Sequence, residues 1–204
     1  MSDNPEREHW EQRFAAPGYI FGTAPNKFLK DHAHLLKKGE KALAIADGEG
    51  RNGVFLAEQG LDVLSVDISP RGQEKARKLA QERGVSLRFE IADVINWDWP
   101  QAEFDVVAAI FFQFTGPPGR NKIFAGIKQA LKPGGLLLLE GYGLKQLEYK
   151  TGGPPDIENL YTRALLEQAF GDFAWLEVRE YEAVIEEGAR HSGMSALVDL
   201  VGRK

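Results

Sequence analysis

The sequence predicts a doubly wound α/β fold, with a mostly parallel seven-stranded sheet and helices on both faces. Short apolar runs alternate with amphipathic helical patterns from residue 42 to the C-terminus. The runs are apolar throughout, which is typical of parallel strands that are buried on both faces. The last two strand patterns are separated by only a short polar segment, so they predict an antiparallel hairpin rather than a crossover connection.

Five of the runs are predicted parallel strands, each bounded by Gly, Pro or charged residues. They cover residues 42–46, 63–67, 86–91, 104–111 and 136–142. The clearest helix follows the second strand over residues 71–83, where Ser69 is the expected N-cap, Pro70 occupies the first helical position and Gly84 ends the helix. A βαβαβ succession of this kind binds ligands beyond the carboxyl ends of its strands.

The predicted hairpin is formed by residues 175–184 and 195–201. Its first strand runs in the direction of the parallel set, so its turn is expected to project from the same edge as the ligand-binding loops. This places Arg190 and His191 at that edge.

Composition limits the classes of function. The chain has 204 residues, of which 43% are hydrophobic and 27% charged, as in an ordinary globular protein, and one domain is expected over residues 1–204. A formal charge of −5 gives no general attraction to nucleic acid or anionic lipid, and therefore favours small-molecule partners. The absence of cysteine and of any long apolar stretch predicts a cytoplasmic protein without a membrane segment. Oligomeric state cannot be read from these residues.

A glycine-rich loop follows the first strand and opens a helix. Gly48, Gly50 and Gly53 match G-x-G-x-x-G, an arrangement in which a ligand can approach backbone N–H groups at a helix N-terminus. Asp67 ends the second strand, about twenty residues further on, where a carboxylate commonly accepts hydrogen bonds from ribose hydroxyls. The pattern fits both a nicotinamide cofactor and S-adenosylmethionine, and a turn without a ligand remains an alternative.

Several segments resemble class I S-adenosylmethionine-dependent methyltransferases. Residues 44–50 look like their glycine motif, residues 131–136 (Leu-Lys-Pro-Gly-Gly-Leu) look like their turn into the fifth strand, and residues 91–94 resemble their adenine-binding segment. The terminal hairpin is also similar to that family's sheet. The resemblance implies methyl transfer with S-adenosyl-L-methionine as cofactor, in preference to a nicotinamide-dependent oxidoreductase. The cofactor-binding residues that it implies are Ala46, Asp47, Gly48, Glu49, Gly50, Asn52, Asp67, Ile68, Asp93, Val94 and Ile110.

Shorter stretches narrow the resemblance to tellurite-resistance methyltransferases and related enzymes that act on small soft nucleophiles. Residues 19–26, 151–155 and 160–162 look like segments of that branch, and together the matches span residues 10–203. The resemblance implies a small acceptor, such as a thiol or a chalcogen oxyanion. Residues 1–40 are expected to form an N-terminal helical lid segment, and residues 41–204 a Rossmann-like core. His9 and Trp10 lie on the polar helix of that segment, and a docking contact with the domain is the alternative for Trp10.

Methyl transfer from a sulfonium is an in-line displacement, so the protein chiefly aligns the nucleophile and excludes water. His191 matches a histidine near the end of the branch's terminal hairpin and is the expected catalytic base. Arg190 is the expected catalytic guanidinium that holds acceptor oxygens. An exposed turn histidine is the alternative for His191. Gln113, just past the fourth strand, is expected either to contact substrate or to brace a loop.

Two positions depart from the family pattern. Ala44 stands where the family usually has an acidic residue, and Ala46 stands where it has a glycine. A charge-assisted hydrogen bond contributes roughly 1.5–3 kcal/mol, so its loss weakens cofactor binding by about one to two orders of magnitude unless Asp47 or Glu49 substitutes. A cofactor-binding protein with little or no catalysis is therefore a second hypothesis.

No metal site is predicted. His32 and His34 are spaced i, i+2 on an expected helix, so their side chains are predicted to face different sides.

Overall fold

The protein is described by a computed structural model that covers residues 4–188 and 191–204. Within these residues seven strands form one sheet. The strands are β1 (Lys41–Ile45), β2 (Asp62–Asp67), β3 (Arg88–Ile91), β4 (Phe104–Ile110), β5 (Leu131–Tyr142), β6 (Trp175–Glu186) and β7 (Ser192–Arg203).

The strand order across the sheet is β3-β2-β1-β4-β5-β7-β6. Neighbours from β3 to β5 pair in parallel, whereas β7 lies antiparallel between β5 and β6. This arrangement confirms the predicted mostly parallel sheet with a C-terminal antiparallel hairpin. Because β6 runs in the direction of β5, the hairpin turn lies at the carboxyl edge of the parallel strands, as predicted.

Seven α-helices connect or cover these strands in the part of the chain that is described. They are α1 (Pro5–Phe14), α2 (Lys27–Asp31), α3 (Arg51–Glu58), α4 (Pro70–Glu82), α5 (Pro117–Ala130), α6 (Gln146–Tyr149) and α7 (Arg163–Phe170), with short 3-10 helices at Ala33–Leu35 and Ile157–Asn159. Helix α4 begins as predicted, because the Ser69 side chain accepts a hydrogen bond from Gly72 N and Pro70 occupies the first turn. None of the helices is long and apolar enough to cross a membrane within the described residues.

Apolar layers cover both faces of the sheet. On one face, α5 and α7 supply side chains such as Ile127 and Phe170 to a cluster with Leu43 and Val107. On the other face, α2 and α3 pack Leu29 and Leu56 against alternate residues of the same strands. Because both faces are covered, the strands read as continuous apolar runs in the sequence.

Strand boundaries differ from the sequence prediction at β5 and the hairpin. β5 begins at Leu131, five residues before the predicted start at residue 136. The pairing jumps from Phe104↔Leu131 to Val106↔Leu136, so the intervening Lys-Pro-Gly-Gly segment bulges out of the ladder. The hairpin strands are also longer than predicted, because β6 continues to Glu186 and β7 begins at Ser192.

Ala46 directly follows β1 and adopts a left-handed conformation, with φ of 48°. An L-residue in this region costs roughly 1–2 kcal/mol relative to its favoured conformations. The position therefore has the backbone geometry of a glycine, as its place in the loop predicts, although the sequence supplies alanine.

We predict that Ala46→Gly stabilises the protein. Glycine removes the left-handed strain but gains freedom in the unfolded chain worth roughly 0.5–1 kcal/mol, so the expected net increase in the free energy of unfolding is about 0.5 kcal/mol. Urea unfolding measures it. The matched control is Ala44→Gly, two residues earlier in regular buried strand, which is expected to lower the same free energy. Equal destabilisation by both variants would contradict the prediction.

Candidate active site

The glycine loop connects β1 to α3 at the carboxyl edge of the sheet. Gly48 and Gly50 both adopt positive φ, at 56° and 87°. A Cβ atom at Gly50 would lie 2.5 Å from the Cβ of Ala76 on α4. Glycine is therefore required at residue 50 by both the turn and the close approach of α4, and it sets the N-terminus of α3 at this edge.

Asp67 lies at the end of β2, next to this loop. Its Oδ2 accepts a hydrogen bond from Gly48 N at 2.8 Å, and its Oδ1 accepts one from Ser69 N at 2.9 Å. Burial raises the pKa of Asp67 to about 6, against the opposing effect of the Ser69, Gly48 and Ile68 N–H groups. A carboxylate can accept about four hydrogen bonds, so Asp67 retains acceptor capacity for a ligand's hydroxyl group. The residue thus fits a ribose diol.

Asp93 follows β3 at the same edge. Its Oδ1 accepts a hydrogen bond from Ile95 N at 3.0 Å, and its Oδ2 accepts one from the Asn96 side chain at 2.8 Å. Val94 beside it is buried. The geometry brings an acidic group and an apolar side chain together next to β2, as an adenine site requires.

Ile68 lies half-buried after Asp67, and Ile110 is buried at the end of β4.

Asp47 and Glu49 are both engaged inside the protein. Asp47 accepts hydrogen bonds from Ser65 Oγ at 2.7 Å and Gly53 N at 3.1 Å, and burial raises its pKa to about 7. Glu49 accepts Ile20 N at 2.8 Å and pairs with Lys75 at 2.8 Å. These contacts hold the glycine loop and its surroundings in place, while Ala44 is buried among apolar side chains.

Helix α1 packs against the glycine loop and the start of α4. Glu11 accepts hydrogen bonds from Ser69 Oγ and from Arg71 N, which joins α1 to the start of α4. Phe14 packs on the glycine loop, where a Cβ at Gly48 would lie 3.1 Å from its ring. Trp10 stacks on Phe14, with ring centroids 5.4 Å apart. The position of α1 fits the expected lid segment, and the stacking of Trp10 on Phe14 also fits the docking alternative for Trp10.

A buried polar network joins four distant segments of the chain. Asn26 donates its backbone N–H to the Asn52 side chain at 2.9 Å, and its Nδ2 to carboxylate oxygens of Glu140 and Glu187. Arg51 Nη2 forms an ion pair with Glu187 at 2.8 Å, and both side chains are less than a tenth exposed. Burial, together with the nearby Asp199 and Glu187 carboxylates, raises the pKa of Glu140 well above its usual range. The network fixes the hairpin turn against α3 and the loop at residues 19–26.

His191 packs among aromatic rings at this turn. Its ring centroid lies 4.7 Å from Phe21, 4.6 Å from Phe111 and 5.7 Å from Tyr142. Phe111 itself has φ of 52°, a strained conformation of the kind found at functional sites. Burial, with contributions from the Arg51 and Arg13 charges, lowers the pKa of His191 to about 3. The imidazole is therefore neutral at physiological pH, unlike the near-neutral base expected from the sequence.

Gln113 braces the loops beside the site. Its Nε2 donates to Tyr142 O at 2.9 Å and to Asn159 O at 3.0 Å, while its Oε1 accepts Tyr142 N. Both amide hydrogens are thus committed to backbone carbonyls. These contacts support the bracing alternative for Gln113. Arg190, the other expected catalytic residue, lies outside the described residues.

The expectation that His32 and His34 face different sides was wrong. Helix α2 ends at Asp31, and the chain continues as a 3-10 helix, so the two rings stack 6.1 Å apart. Each Nδ1 contacts a backbone carbonyl, at Phe28 and Asp31 respectively. In the described part of the chain, no group of three or more His, Asp or Glu side chains could hold a metal ion.

Sequence reasoning missed the residues that assemble the hairpin side of the site. Arg51 follows the glycine loop directly, and Glu140 is the one carboxylate in the apolar run of β5. A charged residue inside a buried strand indicates a paired or hydrogen-bonded site. Its partners, Asn26 and Glu187, lie far away in the chain, so the sequence pattern alone does not identify them.

Comparisons with known proteins agree with this geometry. Residues 42–135 match a family described as a methyltransferase domain. The demethylmenaquinone methyltransferase of Thermus thermophilus is 32% identical over 107 residues, which cover 52% of this chain and 48% of that protein. The glycine/sarcosine N-methyltransferase of Parasynechococcus marenigrum is 32% identical over 64% of this chain and 45% of its own length. The chain thus spans about half the length of these curated relatives.

A solved structure extends the likeness to the whole fold. The TehB-like methyltransferase of Corynebacterium glutamicum has a TM-score of 0.60 and 22% identity, and the alignment covers 98% of this chain and all of that one. Its likeness supports the architecture, including the terminal hairpin that the matched family region does not reach. The family match therefore identifies residues 42–135 as a methyltransferase domain similar to those of these relatives, and it implies S-adenosyl-L-methionine as the cofactor.

Proposed function

We propose that the protein transfers the methyl group of S-adenosylmethionine to a small-molecule acceptor. The observation that carries the proposal is the placement of Asp67, with its spare acceptor capacity, beside the glycine loop and on the same edge as the aromatic surroundings of His191. The part of this edge around Asp67 fits a nucleoside. The part around His191 is buried and largely apolar, and it would contact the second ligand. Such a surface fits the exclusion of water during methyl transfer.

The bound cofactor would supply an activated methyl group, and the chain's own residues would position it. Asp67 would accept the ribose hydroxyls, and Asp93 with Val94 would hold the adenine. The left-handed turns at Gly48 and Gly50 would set the N-terminus of α3 at this edge. Helix α1 would exclude water from the cleft. Residues 1–204 are proposed to form one domain, in which residues 1–40 form the lid.

The acceptor is proposed to be a small soft nucleophile, such as a thiol or a chalcogen oxyanion. The relatives described above are named for methylation of demethylmenaquinone and of glycine or sarcosine, which are small molecules. The neutral state of His191 favours an acceptor that arrives already ionised, because an imidazole with so low a pKa does not take up a proton at pH 7. A nucleophile with a low pKa or a permanent negative charge satisfies this condition.

We expect the protein to form S-adenosylhomocysteine from S-adenosylmethionine only when an acceptor is present. The assay follows product by mass spectrometry over a panel of thiols, selenite, tellurite, amines and quinones. Product formation with one acceptor class supports the proposal. Binding of S-adenosylhomocysteine without turnover on any acceptor would favour a cofactor-binding protein without catalysis, a second candidate that the apolar Ala44 supports. Thermal protection by NADH, but not by S-adenosylhomocysteine, would contradict both the methyltransferase and the non-catalytic cofactor-binding protein.

We predict that the affinity for S-adenosylhomocysteine falls at acidic pH. The Asp67 carboxylate must be ionised to accept two hydroxyl donors, and its pKa in the free protein is about 6. Below that pH, protonation competes with binding, so the dissociation constant should rise by up to about tenfold for each pH unit. Calorimetric titrations between pH 5 and pH 8 measure this dependence.

Two variants test the assignment to Asp67. Asp67→Asn should weaken binding at pH 8 by about tenfold or more and flatten the pH dependence, because the charge-assisted bonds are lost. Asp62→Asn is the matched control, since Asp62 lies exposed at the opposite end of the same strand. Retention of wild-type affinity and pH dependence by Asp67→Asn would contradict the assignment.

A further inference from the structure

We propose that Arg51 and Tyr142 bind an anionic oxygen of the methyl acceptor, so that the acceptor is a small molecule carrying a carboxylate or another oxyanion. The inference rests on the proposed methyl transfer and names two acceptor-binding residues on the hairpin side of the site. It extends the acceptor site beyond the histidine and arginine of the hairpin turn.

Three buried polar atoms at this place have no hydrogen-bond partner among the described residues. They are Arg51 Nη1, Tyr142 Oη and His191 Nδ1. Arg51 is 7% exposed and Tyr142 is 1% exposed, so solvent does not readily satisfy their N–H and O–H groups. Buried polar groups are nearly always paired in folded proteins. An unpaired set of this kind indicates a ligand that completes it.

The three groups belong to one site. The rings of Tyr142 and His191 lie 5.7 Å apart, edge to face, and both contact Phe111, at 4.7 and 4.6 Å. Arg51 reaches the same turn through its ion pair with Glu187, whose N–H donates to the backbone oxygen of His191 at 2.7 Å. The Arg51 charge also acts on the pKa of both Tyr142 and His191.

The free groups favour a negatively charged oxygen. Glu187 uses its carboxylate for Arg51, Asn26 and the backbone N–H of Lys27, at distances of 2.8 to 3.3 Å. One arm of the guanidinium is therefore paired, while Nη1 remains available, and the Tyr142 hydroxyl adds a second donor. Arg13 adds a further positive charge that acts on His191. The Glu187 and Glu140 carboxylates also act on Tyr142, but both accept hydrogen bonds from other side chains of the network. Two donors in an aromatic setting suit an oxyanion, because hydrogen bonds to charged groups are about twice as strong as neutral ones.

Tyr161 provides a matched comparison within the protein. Its hydroxyl is also buried and unpaired among the described residues, but its ring packs against Phe112 and Phe124 in the apolar core. The Arg120 charge acts on Tyr161, and Arg120 Nε is likewise buried and unpaired among the described residues, but Tyr161 packs in the apolar core and not beside His191. The same substitution at the two tyrosines therefore separates the loss of a buried hydroxyl from the loss of an acceptor contact.

The test compares mercaptoacetate with 2-mercaptoethanol, two thiols that differ in the presence of a carboxylate. Binding is measured by calorimetry with and without saturating S-adenosylhomocysteine. The wild type should bind mercaptoacetate about tenfold tighter than 2-mercaptoethanol. Tyr142→Phe should weaken mercaptoacetate binding by about tenfold. Tyr161→Phe should leave it unchanged.

Tyr142→Phe removes an oxygen without a partner in the described residues, so the variant is expected to fold and to bind S-adenosylhomocysteine as the wild type does. Arg51→Gln should abolish the preference for the anionic thiol, and its melting temperature reports whether loss of the Glu187 pair disturbs the turn. Equal binding of the two thiols by the wild type, no binding of mercaptoacetate, or wild-type mercaptoacetate affinity in Tyr142→Phe would each overturn the inference. Failure of S-adenosylhomocysteine to bind would instead contradict the donor site, and the titrations without it still test the anion site.

Discussion

The buried ion pair between Arg51 and Glu187 is the contact on which the rest of the site depends. Arg51 begins the helix after the glycine loop, and Glu187 belongs to the hairpin turn at the other end of the chain. The same carboxylate accepts hydrogen bonds from Asn26 and Lys27, which follow α1 in the sequence. Removal of one member of such a pair leaves an uncompensated buried charge, which is strongly destabilising. The pair therefore fixes the N-terminal loop, the glycine loop and the hairpin relative to one another.

This arrangement joins the donor and acceptor sides of the proposed site. The glycine loop and Asp67 lie on one side of Arg51, and the aromatic rings around His191 lie on the other. A parallel sheet alone brings only the loops after β1 to β5 to its carboxyl edge. The antiparallel β7 allows β6 to run with the parallel strands, and so brings the hairpin turn to that edge as well. The Arg51–Glu187 ion pair then holds the hairpin turn next to the glycine loop.

Much of the fold could be predicted from local patterns. The Ser69 cap, the Pro70 start and the hairpin depend on residues close together in sequence, and each was predicted correctly. The β5 start was wrong because the bulge at residues 132–135 pairs Leu131 ahead of the apolar run. The roles of Gln113 and His191 depend on partners far away in the chain. Burial among Phe21, Phe111 and Tyr142, which fixes the protonation state of His191, is a tertiary property that no local pattern contains.

Asp67 is proposed to bind a nucleoside, and Arg51 with Tyr142 is proposed to bind a small anion at the same edge of the sheet. The most direct test is a crystal structure of the complex with S-adenosylhomocysteine and mercaptoacetate. The account predicts that both ribose hydroxyls donate to Asp67, that the cofactor sulfur faces the aromatic rings, and that the mercaptoacetate carboxylate accepts from Arg51 Nη1 and Tyr142 Oη. A ribose away from Asp67, or protein atoms separating the sulfur from Arg51 and Tyr142, would contradict it.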